Sequence, residues 1–81
     1  MSVANRVRWH SRRGMLELDV LLVPFAEQAF PQLSAADQAC YIELLESEDP
    51  DLFGWLIDHR VPENPAFAAM INKILAHGKT H

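Results

Sequence analysis

The chain has 81 residues, the size of one small domain, and its 49% hydrophobic content excludes a disordered tail. A domain of this length buries only about 60 to 65% of its unfolded surface, so it lacks room for a deep cofactor cavity beside its own core. We therefore predict a single domain spanning residues 1–81 that acts through its surface.

The net charge of −4 is unevenly distributed along the chain. Four arginines, Arg6, Arg8, Arg12 and Arg13, precede the first acidic residue, whereas the chain from Gly14 onward carries three basic and eleven acidic residues. Because binding to DNA or RNA needs many Lys or Arg contacts to phosphate, the acidic body argues against a nucleic-acid partner. A small nucleic-acid-binding protein that uses the four arginines remains one alternative.

Composition also argues against a disulfide scaffold and a membrane span. The single cysteine, Cys40, cannot form an intrachain disulfide and has no partner at metal-ligand spacing. The charge-free run 20–26 is far shorter than the roughly 20 residues that cross a bilayer, and no apolar signal segment follows the arginines. We expect a cytoplasmic protein without membrane insertion.

The first two helices follow from apolar spacing. The first predicted helix, residues 3–12, is short and Arg-rich, and Gly14 ends it. The second carries an apolar stripe from Leu18 to Ala29 with the i, i+3, i+4 repeat of an amphipathic helix. Pro24 lies inside this stripe. Since proline removes a backbone hydrogen bond, we expect a kink in the four residues before it, or a split helix.

Capping residues predict three further helices. Ser34, followed three residues later by an acid, begins the third helix, and Asp49 with Pro50 at the first helical position begins the fourth. Asn64, again before a proline, begins the fifth, which we expect Gly78 to end. The predicted fold is all-α: a compact five-helix bundle in one small domain.

The sequence contains no recognisable catalytic or metal-binding pattern. It has no glycine-rich phosphate loop and no Ser or Cys in a nucleophile setting. Glu43 and Glu46 lie one turn apart, as di-metal carboxylates do, but the accompanying Glu-x-x-His motifs are missing. We interpret the two glutamates as a solvated acidic face, and we predict no catalytic residue, no metal and no enzyme.

A first cluster of interest surrounds Gly14. As a purely structural feature, arginines end one helix, Gly14 permits the turn, and Glu17 and Asp19 begin the next helix. As a binding site, Gly14 leaves backbone bare for a partner's main chain, while Arg13 and Glu17 offer opposite charges about one turn apart. Trp9 lies in a helix with too few apolar residues to bury it, so we expect an exposed aromatic anchor.

A second cluster spans residues 46–56, where acids surround a helix start in the manner that the helix dipole favours. Gly54 inside a helix costs about 1 kcal/mol relative to Ala, which indicates close packing or access to Trp55. We expect Trp55 to lie in the core or partly in it. Either a partner or the fold requires four residues of this cluster. These are Asp49, Pro50, Asp51 and Trp55.

Together the two clusters resemble a known family. Arg13-Gly14-x-x-Glu17, then Pro24-Phe25, then Asp49-Pro50-Asp51-Leu52-Phe53-x-Trp55-Leu56 are similar to the motifs of the SdhE family, also called succinate dehydrogenase assembly factor 2. The resemblance extends roughly from Arg6 into the last helix. It implies a small helical bundle that promotes covalent attachment of FAD to a histidine of the flavoprotein subunit of succinate dehydrogenase and, in bacteria, of fumarate reductase.

The resemblance also implies roles for individual residues. The family's RGxxE residues contact the flavoprotein, which implies a set of partner contacts here. They are Arg13, Gly14 and Glu17, flanked by Trp9, Met15 and Asp19. Leu16 stands where some relatives carry a basic residue, which puts one charged contact of the family in doubt here and little else. Because FAD is attached to the partner, no tightly bound cofactor is expected, and direct FAD binding stays open. An antitoxin-like regulator with a different partner is the other alternative.

Overall fold

The computed structural model describes residues 3–79, apart from the side chain of Ala4. The predicted domain limits, residues 1 and 81, lie outside this range. Five α-helices occur within it. They are α1 (Val3–Ser11), α2 (Leu16–Pro24), α3 (Ala35–Leu44), α4 (Asp49–Leu56) and α5 (Pro65–Lys79). The range from 3 to 79 contains no strand, and the predicted all-α, five-helix fold is confirmed. None of the described helices is long and apolar enough to cross a membrane.

Pro24 changes the geometry of the second helix, as predicted. A proline cannot donate a hydrogen bond to the carbonyl four residues back, so the regular α-helical pattern cannot continue through it. Helix α2 ends at Pro24, and the chain continues as a π-helical segment, Phe25–Ala29, followed by a 3-10 turn, Phe30–Gln32. The break therefore lies at and after the proline, not in the four residues before it.

The core forms where α2 and its π-helical continuation pack with α3, α4 and α5. Tyr41 of α3 is fully buried, and its ring centroid lies 5.1 Å from that of Phe25 and 5.7 Å from that of Phe30. The fully buried aliphatic side chains are Leu18, Leu22, Leu44, Leu45, Leu52, Leu56, Met70 and Ile74. Each stabilises the fold by roughly 1.5 to 3 kcal/mol, so tertiary packing, not local propensity, holds helices this short.

Two of the three predicted helix caps are confirmed. The Oγ atom of Ser34 accepts the amide of Asp37 at 3.1 Å, and Oδ1 of Asn64 accepts the amide of Ala66 at 2.9 Å. The third is wrong, because the N-cap residue of α4 is the one before Asp49, and Asp49 is the first helical residue. Its side chain makes no capping hydrogen bond, since it is engaged elsewhere.

The expected terminator of the last helix is also corrected. Gly78 lies inside α5, which continues to Lys79, the last described residue. A Cβ atom at Gly78 would lie 2.9 Å from Cδ2 of Leu21, so this glycine allows α5 to pass close to α2. Its role is therefore close packing between two helices rather than helix termination.

Candidate partner-binding site

The first cluster lies on the turn between α1 and α2. Gly14 has a φ angle of +83°, in the region that glycine adopts without the strain that a side chain would cause. The residue is exposed, and a Cβ atom added to it would meet no heavy atom within 4 Å. Backbone conformation, not crowding within the chain, therefore requires glycine here, and the bare backbone faces solvent.

Arg13, the neighbour of Gly14, turns its side chain into the molecule and leaves only 13% of it exposed. Its Nε atom lies 2.7 Å from Oδ1 of Asp49. The Nη1 atom donates to the carbonyl oxygens of Leu45 at 2.9 Å and His10 at 3.1 Å, and Nη2 donates to that of Ser47 at 2.8 Å. The guanidinium group thus joins the α1–α2 turn to the loop between α3 and α4.

The main chain of the turn is held from the other side by α2. The amide of Arg13 donates to Oδ1 of Asp19 at 2.8 Å. The carbonyl oxygen of Met15 accepts the amides of Leu18 and Asp19 at 3.1 and 2.9 Å, which closes the first turn of α2. The Met15 side chain packs against the core. Three of the predicted contact residues, Arg13, Met15 and Asp19, therefore shape the turn from within.

Glu17 and Leu16 occupy the outer side of the same turn. The side chain of Glu17 is exposed and has neither a hydrogen bond nor an ion pair to any residue between 3 and 79, and Leu16 is 74% exposed. Arg13 is paired with Asp49, so the two opposite charges expected side by side are not both presented to solvent. Of these two charges, only the Glu17 carboxylate is available to a partner.

Trp9 is the exposed aromatic residue that the sequence predicts, with 65% of its surface accessible. It borders two surface cavities. The larger one, about 870 Å³, is an open groove between α1 and α3. The smaller one, about 210 Å³, lies between the end of α1 and α2 with its π-helical continuation. Residues lining the smaller cavity with Trp9 are Arg8, Arg12, Val23 and Glu27. An aromatic ring at this position can anchor another protein without disturbing the core.

The start of α4 divides the second cluster between the interior and the surface. Pro50 and Asp51 are exposed in the first helical turn, where an acid complements the helix dipole. Asp49 instead directs its carboxylate to Arg13. The structure thus brings the two clusters together through Arg13, which contacts both Asp49, 36 positions away along the chain, and the carbonyl oxygen of Ser47.

Further along α4, Gly54 is buried beneath the side chain of Arg60. An added Cβ atom would overlap the Arg60 guanidinium group, and the carbonyl oxygen of Gly54 accepts the amide of Arg60 at 2.9 Å. Trp55 is partly buried and lies with its ring centroid 6.1 Å from that of Phe67. The prediction of a partly buried Trp55 is confirmed, and Gly54 serves close packing.

Two contacts of this region were missed by the sequence analysis. The Arg13–Asp49 ion pair leaves no periodic signal, and Asp49 before a proline resembles an ordinary helix cap. The buried contact between Ser11 and Tyr41, 30 positions apart, likewise has no local signature. The sequence offers one indication of the Arg13–Asp49 contact, which is that both clusters occur together in the same chain.

The remaining reactive side chains stay apart from this site. Residues 3–79 contain no group of three or more His, Cys, Asp or Glu side chains that could hold a metal ion. Glu43 and Glu46 are both exposed. Burial raises the pKa of the Cys40 thiol, and the charges of Asp37 and Glu43 raise it further. Cys40 is thus kept in the unreactive thiol form at neutral pH.

Known proteins resemble this chain over most of its length. Residues 5–78, which include both clusters, match the Sdh5 family, described as flavinator of succinate dehydrogenase. The FAD assembly factor SdhE of Vibrio cholerae is 51% identical over 72 residues, which cover 89% of this chain and 84% of that protein. That of Pseudomonas aeruginosa is 54% identical over 71 residues, with coverage of 88% and 84%. That of Photobacterium profundum is 49% identical over 75 residues, with coverage of 93% and 85%.

Proposed function

The chain belongs to the Sdh5 family of succinate dehydrogenase flavinators, and on this premise we propose that it is a FAD assembly factor. It binds the flavoprotein subunit of succinate dehydrogenase and promotes covalent attachment of FAD to that subunit. The observation that carries the proposal is the exposed turn at Gly14, where bare backbone lies beside the unpaired carboxylate of Glu17.

The bond-forming groups in this proposal belong to the flavoprotein and to FAD, so the chain contributes binding and positioning. Holding two reacting groups in a productive arrangement can equal an effective concentration on the order of 10⁵ to 10⁸ M. A factor of this kind needs no catalytic residue and no tightly bound cofactor of its own. The chain then needs no cofactor cavity of its own, despite its small size, because the FAD site is in the partner.

The turn offers three complementary kinds of contact. A partner's main chain can approach Gly14 closely, because no side chain stands in the way. The carboxylate of Glu17 can accept charge-assisted hydrogen bonds from an Arg or Lys of the flavoprotein. Trp9 and Leu16 add exposed apolar surface on either side of the turn. These four residues form the partner-facing part of the proposed site.

We extend the proposal to the flavoprotein of fumarate reductase, as the family resemblance implies. The same turn would serve both partners, since a single surface of Gly14 and Glu17 is available for main-chain and carboxylate contacts. If so, Glu17→Ala lowers covalent flavin on both flavoproteins. Loss of flavin on succinate dehydrogenase with full flavin on fumarate reductase would contradict this extension.

The structure argues against the alternative of a nucleic-acid-binding protein. One of its four arginines, Arg13, is occupied within the chain and mostly buried. Arg6 and Arg8 stay exposed on α1, as does Arg12 in the turn that follows it. Three cations on an otherwise acidic domain give few of the phosphate contacts on which such binding depends.

The proposal is tested in cells that lack the gene for this chain and carry a plasmid copy of it. Wild type, Gly14→Arg, Glu17→Ala and the matched control Glu63→Ala, an exposed acid after α4, are compared. Covalent flavin is measured by in-gel fluorescence of the flavoprotein. Wild type and Glu63→Ala should restore the signal, and the two turn variants should not. Full flavinylation in both turn variants would overturn the assigned site, and full flavinylation without the chain would overturn the function.

A further inference from the structure

We propose that Arg13 and Asp49 are positioning residues for partner binding, an inference that rests on the proposed function. Their ion pair sets the conformation of the turn that presents Gly14 and Glu17. The arginine of the motif then contributes to recognition without its guanidinium group touching the flavoprotein. This role differs from direct contact, which the resemblance alone implies for Arg13.

The hydrogen bonds of Arg13 support an internal role. A guanidinium group has five N–H donors. Four of them are used within the chain, by the Asp49 carboxylate and by the carbonyl oxygens of His10, Leu45 and Ser47. A partner that bound this group would have to break bonds already formed in a largely buried setting. The guanidinium is therefore poorly available as a contact.

The same residue controls the backbone of the turn. Arg13 immediately precedes Gly14, and it is held both through its side chain, by Asp49, and through its amide, by Asp19. With both attachments in place, the positive φ of Gly14 and the start of α2 are fixed relative to α4. The position of Glu17, on the first turn of α2, follows from that arrangement.

Within the described residues, the Asp49 carboxylate has no partner other than Arg13. It lies at the start of α4 without capping that helix, and it makes no hydrogen bond to any other side chain in the described range. A Lys in place of Arg13 could not reproduce the arrangement, because a single ammonium group cannot span acceptors in the separate positions that the planar guanidinium reaches. The pair thus joins the two sequence clusters into one functional unit.

A double-mutant cycle on the full-length chain tests this role. Asp49→Ala, Asp49→Asn, Glu17→Ala and Asp49→Ala/Glu17→Ala are compared with Glu63→Ala, an exposed acid outside both clusters. The Kd for the purified flavoprotein is measured by calorimetry. Asp49→Ala should weaken binding roughly tenfold, Asp49→Asn less, and Glu63→Ala less than about twofold. In the Glu17→Ala background, the effect of Asp49→Ala should shrink, because the contact it positions is already absent.

Hydrogen exchange of the free variants supplies the second measurement. The amides of Arg13, Leu18 and Asp19, which are hydrogen-bonded at the turn, should exchange faster in Asp49→Ala and Asp49→Asn than in wild type, while core amides of α5 remain protected. Unchanged binding and exchange in Asp49→Ala would overturn the proposal, as would tighter binding by the released Arg13. Wild type that fails to bind the flavoprotein would instead contradict the proposed function, and hydrogen exchange alone would then decide whether the pair holds the turn.

Discussion

The hydroxyl oxygen of Ser11 lies 2.7 Å from that of Tyr41 at the buried end of α1. The Ser11 hydroxyl oxygen also lies 2.8 Å from the carbonyl oxygen of Val7. A longer contact of 3.3 Å joins Tyr41 to the carbonyl oxygen of Leu22. The last residue of α1, two positions before Arg13, is therefore tied directly to the core.

Tyr41 makes the stability of the chain depend on pH in the alkaline range. Burial raises the pKa of Tyr41 from 10.0 to about 12, although the hydrogen bond with Ser11 and the charge of Arg13 lower it. The unfolded state therefore loses this proton first as the pH rises. The contribution to stability is complete below pH 10 and falls by about 3 kcal/mol as the pH rises to about 12.

This dependence can be measured because Tyr41 is the single tyrosine of the chain. Ultraviolet absorbance of tyrosinate should appear near pH 12, or together with unfolding. In denaturant unfolding, the free energy of unfolding of Tyr41→Phe should fall less than that of wild type in the alkaline range, because the variant lacks the ionisable hydroxyl. Tyrosinate that forms near pH 10 in the folded chain would contradict the assignment.

The two residues that precede α4 and α5 should differ in their contribution to stability. Asn64 caps α5 through its side chain, whereas Glu48 occupies the N-cap position of α4 without a side-chain hydrogen bond. We expect Asn64→Ala to lower the free energy of unfolding by about 1 kcal/mol and Glu48→Ala to leave it nearly unchanged. Urea denaturation measures both, and equal losses would show that the cap hydrogen bond is not the cause.

Substitutions at Gly14 distinguish the effect of backbone strain on stability from the loss of a partner contact. Gly14→Ala should cost about 1 kcal/mol, because its φ of +83° is unfavourable for a side chain, while Gly14→Asn should cost less, since Asn tolerates this region. Neither side chain meets an obstacle within the chain. Both should nevertheless weaken binding to the flavoprotein, because each covers the bare backbone. Wild-type affinity in Gly14→Asn, measured by calorimetry, would show that the partner does not approach the backbone of Gly14.

The two tryptophans form a matched pair. Trp9 is exposed, so Trp9→Ala should change the free energy of unfolding by less than about 0.5 kcal/mol yet weaken binding to the flavoprotein tenfold or more, roughly the effect of a hot-spot residue. Trp55 packs against Phe67, so Trp55→Ala should cost about 2 kcal/mol of stability. Thermal unfolding and calorimetry distinguish the two. A large stability loss in Trp9→Ala would contradict its assignment as a surface anchor.

Local patterns were sufficient wherever the physical cause is local. The apolar repeat from Leu18 to Ala29, the break at Pro24 and the cap at Asn64 each depend on neighbours within a few residues, and each was predicted. The cap at Asp49 was not predicted correctly, because its carboxylate is taken by Arg13 from another part of the chain. Gly78 was misjudged for the same reason, since a different helix determines its role.

The site shows the same division between local and distant causes. The exposure of Trp9 and the need for glycine at the turn follow from neighbouring residues. That Arg13 points inward, and so leaves Glu17 without it as a partner, depends on the loop before α4. No pattern of spacing around Gly14 contains that information.

Covalent flavin formation on purified flavoprotein tests the proposed function most directly. Flavoprotein without covalent flavin is incubated with excess FAD, and the fluorescence of protein-bound flavin is followed at increasing concentrations of this chain. Wild type and Glu63→Ala should raise the rate to a plateau, while Glu17→Ala should leave it near the rate without the chain. Equal rates with and without the wild-type chain would contradict its assignment as a FAD assembly factor.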